Sequence, residues 1–420
     1  MQEPNRRVKP RILFFAPILE YPPAGGPQIS VMNAIKVLHQ ISELHIVTTV
    51  SPTQLGSPDA QNVLQQYCHK LVHAPSSRLH TRNRIVAKIV RKFRRLAAPL
   101  LATADVAFLM KYATQNSIEI FWIDRVLEHA FAVFRQLRGR LPQARIVGDT
   151  EAVYSRFILR ELPLVRNPLK RIWISLTGRK KVKEEMELAA HADVITAVSE
   201  VDAEYFRSLA ADAERVRLFS NVVDLDNYTT PVEPSLQVHR PCFLLLGSYG
   251  RQGSPMDRAA RWVVSEVMPK VWQKVPETHL YIIGRNANFT QSSLASRHVS
   301  VIGQIPSVLG YLQQAAATLV PLRYESGTRF KIIESGAAAV PCISTTLGAE
   351  GLAVEHEKSI LIADAAEEFA EAMVRMLTEP ELAATLARNL HALVEQNYSL
   401  AVQEEEGRKI IEYVGNHHHE

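Results

Sequence analysis

At 420 residues the chain is long for a single hydrophobic core, so two domains are expected. Hydrophobic residues at 47% and charged residues at 22% exclude a disordered or fibrous chain and match an ordinary globular protein. The net charge of +5 is mild, and no apolar run reaches the roughly 20 residues that a spanning helix needs.

The start, MQEPNRRVKP, is charged, and the apolar run after it is short and broken by Pro17, which predicts a first strand, RILFFA (Arg11–Ala16), and not a signal peptide. A Pro/Gly loop, YPPAGGPQ, carries Gly25 and Gly26 and leads into an amphipathic run from Ile29 to Gln40. Strand-like runs follow at Leu44–Val50, Ile118–Ile123, Ala144–Asp149, Ala192–Ser199 and Val216–Asn221, separated by helix-like stretches. Such alternation predicts βαβ units and a parallel sheet.

Two basic stretches interrupt this half. Arg78–Arg95 holds eight Lys/Arg and no acid, and Leu164–Lys183 holds seven, with Trp173 and Ile174 among them. They read either as solvated helix faces or as a basic, partly amphipathic surface resting on anionic lipid. Without aromatic interleaving, a helix-turn-helix or a zinc motif, nucleic acid is not expected as a partner. Cys68, Cys242 and Cys342 lie far apart and form neither a metal-ligand spacing nor a disulfide framework, which fits a reducing cytoplasm.

Residues 226–241 contain Pro231, Pro234 and Pro241 among polar residues and read as a linker. A second alternating series has strands at Cys242–Gly247, His279–Gly284, Val299–Gly303, Ala317–Leu322, Val340–Ser344 and Ser359–Ala363. Gly247, Gly284 and Gly303 stand at strand ends, where an open parallel sheet lines its ligand crevice and glycine permits close approach to the backbone. The expected organisation is a domain over 1–225, the linker at 226–241, a domain over 242–395, and a terminal segment over 396–420. That last segment is expected to hold a helix packing back on the first domain, followed by a disordered histidine tail.

The densest chemistry lies in Val320–Leu352. A buried strand is followed by the polar loop Tyr324, Glu325, Ser326 and Gly327, then by a helix carrying Glu334. Strand, glycine loop and helix together present backbone N–H groups and a positive helix end to a phosphate. A carboxylate about two turns into such a helix can accept hydrogen bonds from a vicinal diol beside that phosphate.

Five segments in order carry a family resemblance: APILEYPPAGGPQ, EEMELAAHADVITAVSEVDAEYF, SNVVD, the run from LLLGSYG to LYIIG, and SGTRFKIIESGAAAVPCISTTLGAEGL. Together they resemble the retaining glycosyltransferases of family 4, the glycosyl transferases group 1. The resemblance implies an α/β chain of GT-B architecture, with two Rossmann-like parallel-sheet domains facing an interdomain cleft.

It further implies that Glu334 holds the ribose hydroxyls, and that the amides of Ser326, Gly327 and Thr328 face the diphosphate or donor sugar. Where relatives often carry a glutamate, this chain has Ser326, with Glu325 shifted by one, so the carboxylate contacting the donor sugar stays open. Arg329 and Lys331 are candidates for the phosphate; two helix residues two apart do not share a face, so one of them at most is expected to point inward. Arg251, the one cation of the loop Ser248–Pro255, is assigned to the diphosphate. Gly25 and Gly26 are expected to let their loop close over phosphate and acceptor, with Gly247 at the crevice. Backbone near Gly284, Arg285, Gln304 and Ile305 is expected to recognise the base. Asp149 and Glu151 stand where relatives often place a histidine; Asp149 reads equally as an acceptor-pocket residue or as a helix cap.

The implied activity is transfer of a sugar from a UDP- or GDP-sugar to an acceptor hydroxyl, with no metal and no cofactor beyond the donor. A saccharide or lipid-linked saccharide is the implied acceptor, in cell-surface polysaccharide or glycolipid synthesis. The expected place is the cytoplasm, peripheral on the inner face of the plasma membrane, with an anionic membrane surface as a further partner. The alternatives are a sugar-nucleotide 2-epimerase of the same fold and a catalytically degenerate nucleotide-sugar-binding subunit. A nicotinamide-dependent dehydrogenase is the least expected reading, since PPAGGPQ lacks the GxGxxG spacing.

Overall fold

The computed structural model describes residues 9–74, 106–124, 136–234, 237–250, 252–327 and 329–416. Arg251, Thr328, the basic stretch at 78–95 and the histidine tail lie outside the described residues. The chain divides into two units: Met1–Glu151 with Arg179–Phe219 and Glu404–Glu420, and Ala152–Gly178 with Ser220–Gln403.

These bounds differ from a single division near residue 225. Residues 152–178 belong with the second unit, and so does 226–241, expected as a linker. Packing explains the second difference. Gly310 lacks a Cβ, and one placed there would meet Val232 O at 2.5 Å, so this backbone lies directly on the second unit's own core. The final helix, Leu400–Asn416, passes into the first unit, where Gly407 lies against Ile41 and Phe219.

The first unit holds a parallel sheet of β1 (Arg11–Ala16), β2 (Glu43–Thr48), β3 (Lys70–His73), β4 (Ile120–Ile123), β5 (Arg145–Gly148), β6 (Val194–Ala197) and β7 (Val216–Leu218), in the order β3-β2-β1-β4-β5-β6-β7. Ile12 aligns with Leu44 on one side and Ile120 on the other. The central strands are continuous apolar runs because both of their faces are covered: β4 is buried at all four positions. The strand missed by sequence reasoning is β3. It is an edge strand of four residues, exposed at Lys70 and only half-buried after it, so it needs no apolar run to signal it.

The second unit holds β8 (Cys242–Leu246), β9 (His279–Ile283), β10 (Val299–Ile302), β11 (Ala317–Val320), β12 (Cys342–Ser344) and β13 (Leu361–Ile362), also parallel, in the order β10-β9-β8-β11-β12-β13. The helix Phe330–Ala337 follows β11. It approaches the helix Pro380–Asn397 closely because Gly336 has no side chain: a Cβ there would meet Val394 Cγ2 at 2.5 Å. The helical stretch after β8 runs from Pro255 to Lys274 and contains a π turn at Val263–Val267. Pro269, which cannot donate to a helical ladder, follows that turn directly.

Candidate functional site

In the second sheet β8 is flanked by β9 on one side and β11 on the other. The loops leaving β8 and β11 therefore diverge at the carboxyl edge, which is where open α/β sheets form a ligand crevice. The chain at this edge is tightly built. Gly284 has φ +142°, and a Cβ on it would lie 1.8 Å from Gly247 O. Tyr249 N–H donates to Arg285 O at 2.9 Å, and the buried Tyr249 hydroxyl donates to Leu245 O at 2.8 Å.

The rest of the loop after β8 hangs on Asp257. This carboxylate is 1% exposed and accepts from Gly253 N–H at 2.7 Å, Arg261 Nε at 2.9 Å and Gln291 Nε2 at 3.0 Å. Burial raises its pKa, but the hydrogen bonds from Gln291, Gly253 and Arg261 outweigh it, and the net shift is downward. Asp257 is thus a fixed anion that anchors Gly253 in its positive-φ turn (φ +79°).

The loop after β11 is tied to the same point. The buried Tyr324 hydroxyl donates to Gly253 O at 2.5 Å, so one carbonyl links the two loops at the switch point. From the 152–178 segment, Arg160 Nη1 donates to Glu325 O at 2.7 Å. The same guanidinium grips Glu350 in a fork, Nη1 to Oε2 at 2.6 Å and Nη2 to Oε1 at 2.7 Å. Between these anchors the chain turns through Gly327 (φ +83°). Arg329 then stands extended ahead of the helix Phe330–Ala337, with no side-chain cap and no acid in the first turn. That leaves the positive helix end uncompensated, facing the glycine turn.

One polar atom in this turn lacks a partner among the described residues: Ser326 is 8% exposed, and its Oγ is buried with no hydrogen bond. Glu325 Oε2, also buried, accepts no hydrogen bond and is met by Arg329 Nε at 3.5 Å. Buried polar atoms are nearly always satisfied in native proteins. A buried hydroxyl without a partner, beside a glycine turn and an open helix end, is an arrangement able to bind a polar ligand.

One turn further on, Lys331 and Glu334 share a helix face at i, i+3. The Tyr228 hydroxyl donates to Glu334 Oε1 at 3.0 Å, while Oε2 accepts no hydrogen bond among the described residues. Burial pushes the Glu334 pKa up, against the Tyr228 hydrogen bond and the Lys331 charge, which pull it down; the net shift is upward. Burial pushes Lys331 down, opposed by Glu325 and Glu334 and reinforced by Arg329. Sequence spacing had allowed one inward cation of Arg329 and Lys331. That rule does not apply, because Arg329 precedes the helix in extended backbone (φ −100°, ψ 97°). Its guanidinium is buried, lies 3.5 Å from Glu325 Oε2 and donates to Gly327 O. Both cations therefore act on one carboxylate cluster.

Among the expected base-side residues, Arg285 is half-buried behind Gly284, Gln304 is exposed, and Ile305 packs on the core around Leu246, Ile283 and Tyr311. The remaining candidates lie in the first unit. Gly25 (φ +109°) turns the chain into the helix Gly26–Ile41. Asp149 accepts from Trp122 Nε1 at 2.8 Å and from Thr196 Oγ1 at 2.5 Å. It caps no helix, since the next one starts at Tyr154 after Val153, without a side-chain cap. Glu151, half-buried, is the last residue before the chain enters the second unit. Sequence reasoning missed Tyr228, Arg160, Glu350 and Asp257. Of these, Glu350 and Asp257 lay inside the segments that carry the family resemblance.

Two other features sit at the opposite, amino edge of the first sheet. A groove of about 470 Å³ is lined by Ile118, Glu119, Leu141 and Arg145, ahead of β4 and β5. Glu43, His45 and His69 bring ligand atoms within 4.8 Å of one another, but Glu43 is already paired with Arg11 at 3.3 Å.

Residues 243–379 match the family model described as glycosyl transferases group 1, a span that holds both loops, Tyr324 and Glu334. No curated protein sequence matches the chain. Sucrose-phosphate synthase from Thermosynechococcus elongatus is similar in structure, with TM-score 0.72, 16% identity, and 97% of this chain and 99% of that one covered. HepE from Anabaena, solved in complex with UDP-glucose, has TM-score 0.66 at 13% identity, covering 97% and 100%. A putative UDP-N-acetylglucosamine 2-epimerase from Listeria monocytogenes has TM-score 0.56 at 10% identity, covering 97% of each. At such identities the likeness establishes the GT-B fold, two Rossmann-like parallel-sheet domains.

Proposed function

We propose that this chain is a retaining glycosyltransferase of family 4, moving a sugar from a nucleoside diphosphate sugar to an acceptor hydroxyl. The observation that carries the proposal is the turn at Ser326–Gly327: buried, polar, unsatisfied, and set against an uncapped helix whose next turn bears Glu334. The family match over residues 243–379 and the UDP-glucose bound by the Anabaena neighbour support the same reading.

In this reading Glu334 Oε2 accepts from the ribose while Tyr228 holds Oε1. The amides of the glycine turn and the helix end face the diphosphate. Arg329 and Lys331 set the positive field there, and Arg251 is assigned to the same phosphates. The bond from the anomeric carbon to the β-phosphate oxygen breaks, and its electron pair stays on that oxygen. The acceptor oxygen bonds to the anomeric carbon from the same side, giving retention, and its proton passes to the departing phosphate. Stabilising the charge on the leaving oxygen by pre-placed donors is the main task; loss of one such donor costs about 10²–10³ in turnover. Asp149 and Glu151 are proposed for the acceptor side, and a saccharide or lipid-linked saccharide as acceptor.

The structural likeness to a putative 2-epimerase keeps one second reading open. Incubation with UDP-, GDP- and ADP-sugars, first alone and then with an acceptor panel, separates the two. Transfer only in the presence of acceptor supports the proposal. A new sugar nucleotide formed from donor alone supports the epimerase. Binding of no nucleoside diphosphate removes both.

A further inference from the structure

We propose that the outward face of the helix Pro168–His191 docks on an anionic lipid bilayer. This 24-residue helix buries one face and exposes an apolar stripe on the other. Ile174, Gly178, Lys181, Glu185, Leu188 and Ala189 recur at helical spacing and are buried. On the other face Leu169, Ile172, Trp173 and Leu176 are 77%, 58%, 55% and 61% exposed. Their i, i+3, i+4, i+7 spacing makes one continuous stripe, and at 3.6 residues per turn it lies opposite the buried side. Single exposed apolar residues are ordinary; four adjoining large ones mark an interaction surface.

Charge selects the partner. Residues 168–183 hold six Lys or Arg and no Asp or Glu. Lys180 and Lys183 continue the stripe over its next turns, both exposed. The helix begins with no acid in its first turn. Cations there oppose the helix dipole; Lys170 is held by Glu161 at 2.6 Å and Arg171 by the carbonyls of Leu162 and Val165. Arg166, Arg179 and Lys183 form no ion pair among the described residues. Protein interfaces are depleted in lysine at their centres. A tryptophan and aliphatic side chains flanked by cations, of which Arg166, Arg179 and Lys183 form no ion pair among the described residues, suit a headgroup layer, with the apolar side chains in the acyl boundary and the cations at the phosphates. No helix among the described residues is long and apolar enough to cross a membrane, so the surface lies on the bilayer. The inference is independent of the proposed transfer reaction.

The test is flotation of the full chain with vesicles of phosphatidylcholine, alone or mixed with phosphatidylglycerol, at low and high salt. Wild type should float with the mixed vesicles at low salt and less at high salt. I172S/W173S/L176S should bind at least about tenfold more weakly, with its unfolding midpoint and nucleotide binding kept. K180E/K183E should lose binding to the anionic vesicles. Trp173→Phe, which leaves the helix intact if the triple variant does not fold, should still float but lose the blue shift of tryptophan fluorescence seen on binding. No flotation of wild type, unchanged flotation of the triple variant, or a loss of self-association in its place would overturn the inference; the last would assign the stripe to a second copy of this chain.

Discussion

Tyr228 and Glu334, 106 positions apart in sequence, meet in a hydrogen bond of 3.0 Å from the tyrosine hydroxyl to Oε1. The bond orients a half-buried carboxylate and leaves its second oxygen without a hydrogen bond among the described residues. Burial raises the Glu334 pKa, and Tyr228 restrains that rise. A carboxylate held in this way is costly to the fold and useful to a ligand, as functional groups often are.

The pH dependence follows with a definite sign. Ribose binding needs the ionised carboxylate, so nucleoside diphosphate affinity should fall as pH drops through a Glu334 pKa lying above the usual value near 4.3. Tyr228→Phe removes a restraint on that pKa and should move the midpoint to higher pH. Glu334→Gln should weaken binding by about 1.5–3 kcal/mol, roughly 10- to 150-fold, and flatten this part of the profile. The phosphate titrates near pH 6 as well, so the readout is the difference between wild type and Glu334→Gln by calorimetry. A raised folded pKa contributes stability that is present below the unfolded value and lost as pH rises. Glu334→Gln should therefore melt higher than wild type at neutral pH. An unchanged Kd together with an unchanged melting point would remove the assignment.

Tyr324 ties the loop after β11 to the loop after β8 through Gly253 O. Tyr324→Phe should cost about 0.5–1.5 kcal/mol of stability, because Arg258 Nε still serves that carbonyl at 3.2 Å. The larger effect should be on turnover, since the two loops must hold one diphosphate in place. We expect kcat to fall about tenfold with the donor KM nearly unchanged. A rise in KM at constant kcat would show that Tyr324 serves binding and not positioning.

The alternation of apolar and amphipathic runs made twelve of the thirteen strands among the described residues legible, because strands covered on both faces must be apolar throughout. β3 escaped because an edge strand carries little burial. The loop and helix that carry Ser326 and Glu334 were legible because they are contiguous in sequence. The contacts of Tyr228 and Arg160 were not, for their partners are set by tertiary packing, and Asp257 joins Gln291, 34 positions away, to partners of its own turn. Arg160 reaches Glu350 over 190 positions, and nothing local separates it from the nearby Arg156 and Arg166. The argument over Arg329 and Lys331 failed at a helix boundary, the least legible feature of a sequence.

Gly284 and Gly247 should respond very differently to alanine. At Gly284 the new Cβ would collide with the backbone oxygen of Gly247 at 1.8 Å, in a positive-φ conformation as well. Backbone cannot step aside there without parting β8 from β9, so Gly284→Ala should cost about 3 kcal/mol or more. At Gly247 the contact is the flexible end of Met256, with Cε at 2.6 Å, and the cost should stay near 1 kcal/mol. Chemical denaturation of both variants checks the ordering. Equal losses would mean that the close approach of the two strand ends is not rigid.

Arg160 and Glu350 form a two-pronged ion pair whose side chains are 24% and 25% exposed. Burial raises the Glu350 pKa, but the hydrogen bond and charge of Arg160 outweigh it, so the net shift is downward. A lowered folded pKa contributes stability that is present above the usual value near 4.3 and lost as pH falls through the lowered one. Glu350→Gln should remove that acid limb from the stability curve and cost about 1–2 kcal/mol at neutral pH, between the exposed and buried limits for ion pairs. Arg160→Lys keeps the charge but not the fork, and it also gives up the bond to Glu325 O. It should retain part of the pH dependence while lowering turnover through the loosened glycine turn. Acid unfolding monitored by circular dichroism, alongside turnover at neutral pH, tests both. A wild-type acid limb that persists in Glu350→Gln would place the titrating group elsewhere.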